Sequence, residues 1–205
     1  MSLDFSTGLL NCLKCPLTRQ PMRMPVLAGD GWTYEFEALL EYVEGKQALS
    51  ERITSPKTSN PMRYVKLKPN MVVRRLTELC TEWRRTRCAH VTLEQMLRTL
   101  TQELSCPITH NLINVPVLAA DGCTYEADDV CAWLQYCEER EHPPTSPISQ
   151  LRLLDLVLIP NYIVTSCTEL LQAATGRSGG AASFVQQAES VRPALADTEG
   201  TSEDV

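Results

Sequence analysis

Histidine is scarce in this 205-residue chain: only His90, His110 and His142 occur, and they are scattered. A two-zinc fold needs about eight Cys and His ligands in paired CxxC-like steps, and the only such pair is Cys12 with Cys15. No metal or other cofactor is therefore expected. The nine cysteines, at 12, 15, 80, 88, 106, 123, 131, 137 and 167, are odd in number and irregularly spaced, which is unlike a disulfide framework. Read as small buried apolar groups, they imply a reducing compartment such as the cytoplasm. Positive charge is also short, with 19 Lys and Arg against 25 Asp and Glu for a net charge of −6, so proteins rather than nucleic acid or anionic membrane are the expected partners. No apolar run approaches the ~18 residues needed to span a bilayer, and residues 1–12 lack the basic start and long apolar stretch of a secretory signal.

What the chain does have is an internal correspondence at a constant offset of 91 residues, without gaps. Leu13, Cys15, Pro16 and Thr18 recur as Leu104, Cys106, Pro107 and Thr109, and the run Pro25-Val26-Leu27-Ala28 recurs at 116–119. Asp30, Gly31, Thr33, Tyr34 and Glu35 recur as Asp121, Gly122, Thr124, Tyr125 and Glu126. Thr54-Ser55-Pro56, Pro69-Asn70 and Thr77-Glu78-Leu79 recur in the same register. With 43% apolar residues the chain can bury one medium core or two small ones. The copies place domain boundaries at 1–88 (core 13–83), a linker helix at 89–103, a second domain at 104–174 and a tail at 175–205. Each copy holds its own apolar and capping residues, so each is expected to fold alone.

Within a copy, a short apolar segment at Val26-Leu27, a turn at Asp30-Gly31 and Thr33-Tyr34 predict a hairpin. Phe36, Leu39, Leu40 and Val43 predict a helix over 35–44 that stops at Gly45, and Asn70 or Asn161 stands where an N-cap belongs for a second helix. Thr92 and Gln95 predict a capping box opening the linker helix. The Gly-, Ser-, Ala- and acid-rich tail is too polar to order itself.

The order Cys-Pro-Leu/Ile-Thr, Pro-Val, Asp-Gly-x-Thr-Tyr-Glu, Ser-Pro, then Pro-Asn opening the last helix resembles the U-box family, and the second copy, with Ile159-Pro160-Asn161-Tyr162, resembles it more closely. The resemblance implies an α+β fold of two tandem zinc-free RING-like domains, in which buried hydrogen bonds and ion pairs take the place of zinc. Such staples suit a domain of about 70 residues, which has little core of its own. The polar residues shared by the copies are the candidates: Thr18, Asp30, Thr33, Glu35, Asn70 and their counterparts, though ordinary turn and cap chemistry explains Asp30 and Asn70 equally well. Tandem U-boxes without another recognisable domain resemble effectors that intracellular bacteria inject into the host cytoplasm.

The resemblance also implies a ubiquitin ligase that docks a ubiquitin-conjugating enzyme charged with ubiquitin and promotes transfer to lysines of an unknown protein substrate, with no covalent intermediate of its own. The implied docking residues are Leu17, Tyr42 and Pro56 in copy one and Ile108, Trp133 and Pro147 in copy two; read without the family, the same side chains are core or helix-face residues. Orientation of the thioester would supply the rate. A donor side chain three residues after the loop proline is implied to assist. Gln150 there has two donors and reach, whereas Ser59 is short. Arg152 replaces the second loop proline, Pro61, and puts the shape of that loop in doubt. Residues 13–83 carry eleven basic and eight acidic residues, a net +3, whereas residues 104–174 carry two and nine, a net −7. The acidic copy is the better match for a basic docking helix, and the basic copy, continued by Arg84, Arg85 and Arg87, is a candidate for substrate. Two alternatives remain: a binding module that docks without promoting transfer, and a cysteine-based ligase using Cys123 or Cys131.

Overall fold

The computed structural model describes residues 2–62, 67–86 and 91–176. The chain is mixed α and β: α1 (Ser2–Cys12), β1 (Pro25–Leu27), β2 (Thr33–Glu35), α2 (Phe36–Ala48), β3 (Lys68–Pro69), α3 (Met71–Arg85), α4 (Leu93–Glu103), β4 (Pro116–Leu118), β5 (Thr124–Glu126), α5 (Ala127–Glu139), β6 (Ile159–Pro160) and α6 (Tyr162–Thr175). Two three-stranded antiparallel sheets form, in the orders β2-β1-β3 and β5-β4-β6. Every element of the second half starts 91 residues after its counterpart, and so do the left-handed residues Arg19 and His110, Ser50 and Glu141, and Ser59 and Gln150.

The hairpin turn follows from its residues. Gly31 and Gly122 sit at φ 81° and 79°, a conformation that L side chains avoid. Asp30 Oδ1 accepts from Trp32 N and Asp121 Oδ1 from Cys123 N, closing the turn from the side-chain side. The other carboxylate oxygen accepts from the phenol of Tyr34 at 2.7 Å or Tyr125 at 2.7 Å. Burial pushes both phenols up, so they remain donors. Glu35 then accepts from the backbone N–H groups of Arg23 and Met24, and Glu126 from those of Asn114 and Val115. The expected staples are thus hydrogen bonds. Ser55 and Ser146, whose hydroxyls each accept from two N–H groups of their own loop, belong with them.

Three expectations change. The first helix of each copy begins at Phe36 or Ala127 and runs to Ala48 or Glu139, so Gly45 does not end it; nothing crowds that glycine, and its cost in a helix interior is only about 1 kcal/mol. Leu39 and Val43 are buried, while Leu40 faces out.

The helix expected as a connection is α4, opened by the Thr92–Gln95 capping box. It stands 91 residues after α1, which the sequence reading did not anticipate, so it opens the second half as α1 opens the first.

The halves also share a core. Leu9, Leu13, Leu76, Cys80 and Leu100 pack in one cluster with Ile163, Val164, Cys167 and Leu171 of α6. Leu27, Leu118 and Ile159 meet where the two sheets face each other. At the centre the Asn70 amide donates to Thr33 Oγ1 and to Asn161 Oδ1, and Asn161 donates to Thr124 Oγ1. Asn70 also caps α3 by accepting from Val73 N, as expected, whereas Asn161 makes no side-chain cap. Lys68, nearly buried, crosses to Asp155 at 2.9 Å and to Val157 O at 2.8 Å. Side chains of both halves therefore pack in one cluster, where each copy was expected to fold alone, and the second half holds a smaller cluster of its own.

Among the described residues no helix is long and apolar enough to cross a membrane. The tail expected from 175 lies outside the described residues after Gly176, as do Arg87, Cys88 and His90.

Candidate functional site

Two loops and one helix frame the site in each half. In the first half, loop one runs from Lys14 to Pro21 and loop two from Thr54 to Pro61, each pinched by a β-bridge between its end residues. Each carries Cys-Pro or Ser-Pro right after its first residue and a left-handed residue two before its last, whose N–H returns to the carbonyl of that Cys or Ser. The second half repeats this with the bridges Ser105–Leu112 and Thr145–Arg152. Arg152 thus fills the place of Pro61 without altering how the loop closes.

In the second half both loops are tied to α5. Thr109 Oγ1 donates to Asp129 Oδ2 at 2.8 Å, which holds loop one, and Trp133 Nε1 donates to Thr145 O at 2.8 Å, which holds loop two. Ile108 follows Pro107 in loop one and packs, half-buried, on the Cys106–Ile113–Val130 cluster. Pro147 is half-buried in loop two. The two ties bring the loops carrying Ile108 and Pro147 onto the helix carrying Trp133.

Around these expected residues lie three that sequence reasoning missed: Ile148, Leu151 and Tyr136, exposed at 53%, 71% and 44%. Tyr136 stacks on Trp133 and lies under the Arg140 guanidinium. An aliphatic residue at the tip of a hydrogen-bonded turn was the available signal. The Gln150 side chain donates to Pro147 O at 3.1 Å and stands exposed at φ 59°.

The first half keeps the frame and changes the surface. Among the described residues only one tie forms, between Tyr42 Oη and Thr54 Oγ1 at 3.1 Å. Position 38 is alanine, so Thr18 accepts from Gln20 N within its own loop instead. Leu17 and Tyr42 are half-buried against the shared core and Pro56 is half-buried in loop two. Where the second half exposes Ile148, Leu151 and Tyr136, the first has Lys57, Asn60 and Gly45. Ser59 takes the left-handed position of Gln150.

The thiols of Cys123 and Cys131 are both pushed up, by burial first and then by Asp121 and Asp128 respectively, which disfavours the thiolate a nucleophile needs. Among the described residues no three His, Cys, Asp or Glu converge as metal ligands. Cys15 and Cys106 instead accept from the backbone N–H of Glu35 and Glu126.

This arrangement of loops, helix and sheet coincides with a match to a known family. Residues 100–166 match the model described as the U-box domain. The chain is similar to U-box domain-containing protein 56 of Arabidopsis thaliana, 43% identical over 61 residues, 30% of this chain and 15% of that protein. It is likewise similar to U-box domain-containing protein 36 of the same plant, 40% identical over 68 residues, 33% of this chain and 14% of the relative. A third relative is WD repeat, SAM and U-box domain-containing protein 1 of Danio rerio, 38% identical over 60 residues, 29% of this chain and 11% of that protein. The chain thus spans no more than about a seventh of the length of these relatives. Its second half contains the segment that is similar to a U-box domain.

Proposed function

We propose that this chain is a ubiquitin ligase of two tandem U-box-like domains, in which the second half docks a charged ubiquitin-conjugating enzyme. The observation that carries this reading is the apolar surface at Ile148, Leu151 and Tyr136 around Ile108, Trp133 and Pro147, on the half whose residues match the U-box model. Aromatic and aliphatic anchors on a frame held by hydrogen bonds suit a small interface in which few residues carry the energy. Exposed Gln150 offers an amide donor at its rim. The chain supplies no nucleophile in this reading; it restrains a thioester for attack by a substrate lysine. Its compartment is then reducing, as for an effector delivered into host cytoplasm.

The test is autoubiquitination with a panel of conjugating enzymes. Transfer that survives Cys-to-Ser replacement supports the ligase. Transfer lost on replacing Cys123 or Cys131, together with a reducible ubiquitin adduct on the chain, would overturn it in favour of a cysteine mechanism. A second reading, docking without transfer, is favoured for the first half by Ser59 and by the polar surface at Lys57 and Asn60. It extends to the whole chain if no enzyme in the panel supports transfer while binding is detected.

A further inference from the structure

Lys14, Arg19, Lys57 and Arg84 are all exposed and line two adjoining clefts, of about 480 and 510 Å³, which share Asn11, Lys14 and Arg19; first-half residues line both, and Ile163 and Ser166 of α6 close the second. Among the described residues neither cleft has a carboxylate in its lining. Lys14 Nζ donates to Asn11 Oδ1, Lys57 Nζ lies 5.1 Å from the Trp32 ring centre, and none of the four cations is ion-paired with a described residue. The second half serves as an internal control. Residues 91 positions later are Ser105, His110, Ile148 and Thr175, and the cleft that the first three line includes Glu103 where the first half has Cys12. One backbone frame thus carries four cations without a described ion-pair partner in one copy and none of those charges in the other.

We infer that this basic groove holds an extended, carboxylate-rich segment of a partner protein. Charge complementarity selects an acidic occupant. The small size of the paired clefts, about 480 and 510 Å³, and the −7 charge of residues 104–174 favour a short peptide over a nucleic acid or an anionic bilayer, whose extended fields the second half would repel. The same cations are mismatched to a basic docking helix, so the frame that recruits the conjugating enzyme in the second half recruits the protein to be modified in the first. Calling that protein a substrate rests on the ligase reading; the binding does not.

The test uses the full chain and a fluorescein-labelled peptide of alternating glutamate and serine, read by anisotropy. Wild type should bind, and binding should weaken as salt rises from about 50 to about 300 mM. The variant Lys14→Gln/Arg19→Gln/Lys57→Gln/Arg84→Gln should weaken it roughly tenfold or more. The control Arg52→Gln/Arg98→Gln/Arg140→Gln/Arg152→Gln, with the same loss of charge, should change it less than about twofold. Equal weakening by the two variants, no peptide binding at low salt, or tighter binding of single-stranded DNA or phosphatidylserine vesicles would each overturn the inference. Transfer, read as discharge of a conjugating enzyme's ubiquitin thioester onto free lysine so that the loss of Lys14 and Lys57 as acceptors does not count, should be unchanged in the groove variant. If wild type lacks transfer while the peptide results come out as expected, the ligase reading fails and the groove stands.

Discussion

At the tip of loop two the first half presents Lys57 and Asn60, and the second half, on the same backbone, Ile148 and Leu151. At the neighbouring helix the contrast repeats as Gly45 against Tyr136. The side chains that hold the frame are the same in both halves: Asp30 and Asp121, Tyr34 and Tyr125, Glu35 and Glu126, Ser55 and Ser146. These bind backbone or one another and are constrained by geometry, while the exposed positions are free to diverge. Duplicated scaffolds can therefore carry different surfaces at little cost to the fold, and the following measurements aim to separate the two roles.

Cutting the chain between the halves should have the largest effect. Ile163, Val164, Cys167 and Leu171 pack in the cluster that contains Leu9, Leu76 and Leu100, and Asn70 donates to Asn161 across the join. Exposing apolar side chains costs about 1.5–3 kcal/mol each, so several together exceed the roughly 5 kcal/mol that holds a small domain. Fragments 1–88 and 89–205, made separately, should be unfolded by circular dichroism or should self-associate in sedimentation, one copy standing in for the missing half. A folded monomer of either fragment would show that the halves are independent after all.

Docking anchors come next. Ile108→Ala should nearly abolish transfer while Leu17→Ala leaves most of it, because Ile108 belongs to the half that exposes Ile148, Leu151 and Tyr136, and Leu17 to the half that has Lys57, Asn60 and Gly45 in their places. A central anchor is worth on the order of 2 kcal/mol, or about thirtyfold in affinity. Both side chains are half-buried against core clusters, so thermal melts must first show the variants folded. The reverse ranking in folded protein would exchange the roles of the halves.

The hairpin, the Asn70 cap and the Thr92–Gln95 box were legible because each is a local rule written in adjacent residues. Ile108, Trp133 and Pro147 were legible only through resemblance. What stayed hidden was non-local. Helix α1 has Phe5 and Leu9 at helical spacing, continued by Leu13 just past its end, and extending the 91-residue correspondence upstream to α4 would have found it. The shared core had no such marker, since Val164 and Leu171 look equally apt to pack within their own half. The use of Asn161 in a bridge to Asn70, rather than as a cap like its counterpart, depends on a partner 91 residues away. Exposed Ile148 and Leu151 looked like ordinary loop residues until their solvent exposure was known.

Glycine at the hairpin turns gives a smaller and more selective comparison. A Cβ on Gly31 would lie 2.4 Å from the Tyr162 ring, whereas one on Gly122 would meet Pro69 O at 3.2 Å. Both pay the left-handed penalty of about 1–2 kcal/mol. Gly31→Ala must also push Tyr162 out of its contact with Trp32, with rings 5.5 Å apart, adding roughly 1–3 kcal/mol. Urea midpoints should therefore fall further for Gly31→Ala than for Gly122→Ala, and equal losses would show that this part of the join is loose.

The smallest effect concerns the outer ends of α1 and α4. Glu103 at the end of α4 pairs with Arg75 of α3 at 3.1 Å, a half-exposed bridge worth about 1 kcal/mol or less. At the equivalent place on α1 stands Cys12, which meets Cys167 of α6 instead. A hydrogen bond from the Cys167 thiol lowers the Cys12 thiol to about 7, against burial and the Glu169 carboxylate, which both push it up. The thiolate of Cys12 should therefore form as pH rises through about 7. Cys123 and Cys131, both raised above the ordinary thiol value, should ionise only at higher pH than an ordinary thiol. Iodoacetamide labelling mapped by mass spectrometry checks this, because only the thiolate reacts: the rate at Cys12 should level off soon after neutrality while the rates at Cys123 and Cys131 are still climbing. Cys167→Ala removes the donor and leaves only the two opposing influences, so the Cys12 inflection should move upward. An inflection that stays near neutrality in that variant would mean that something other than the α1–α6 contact sets the thiol, and that the two outer ends do not differ in the way this pairing implies.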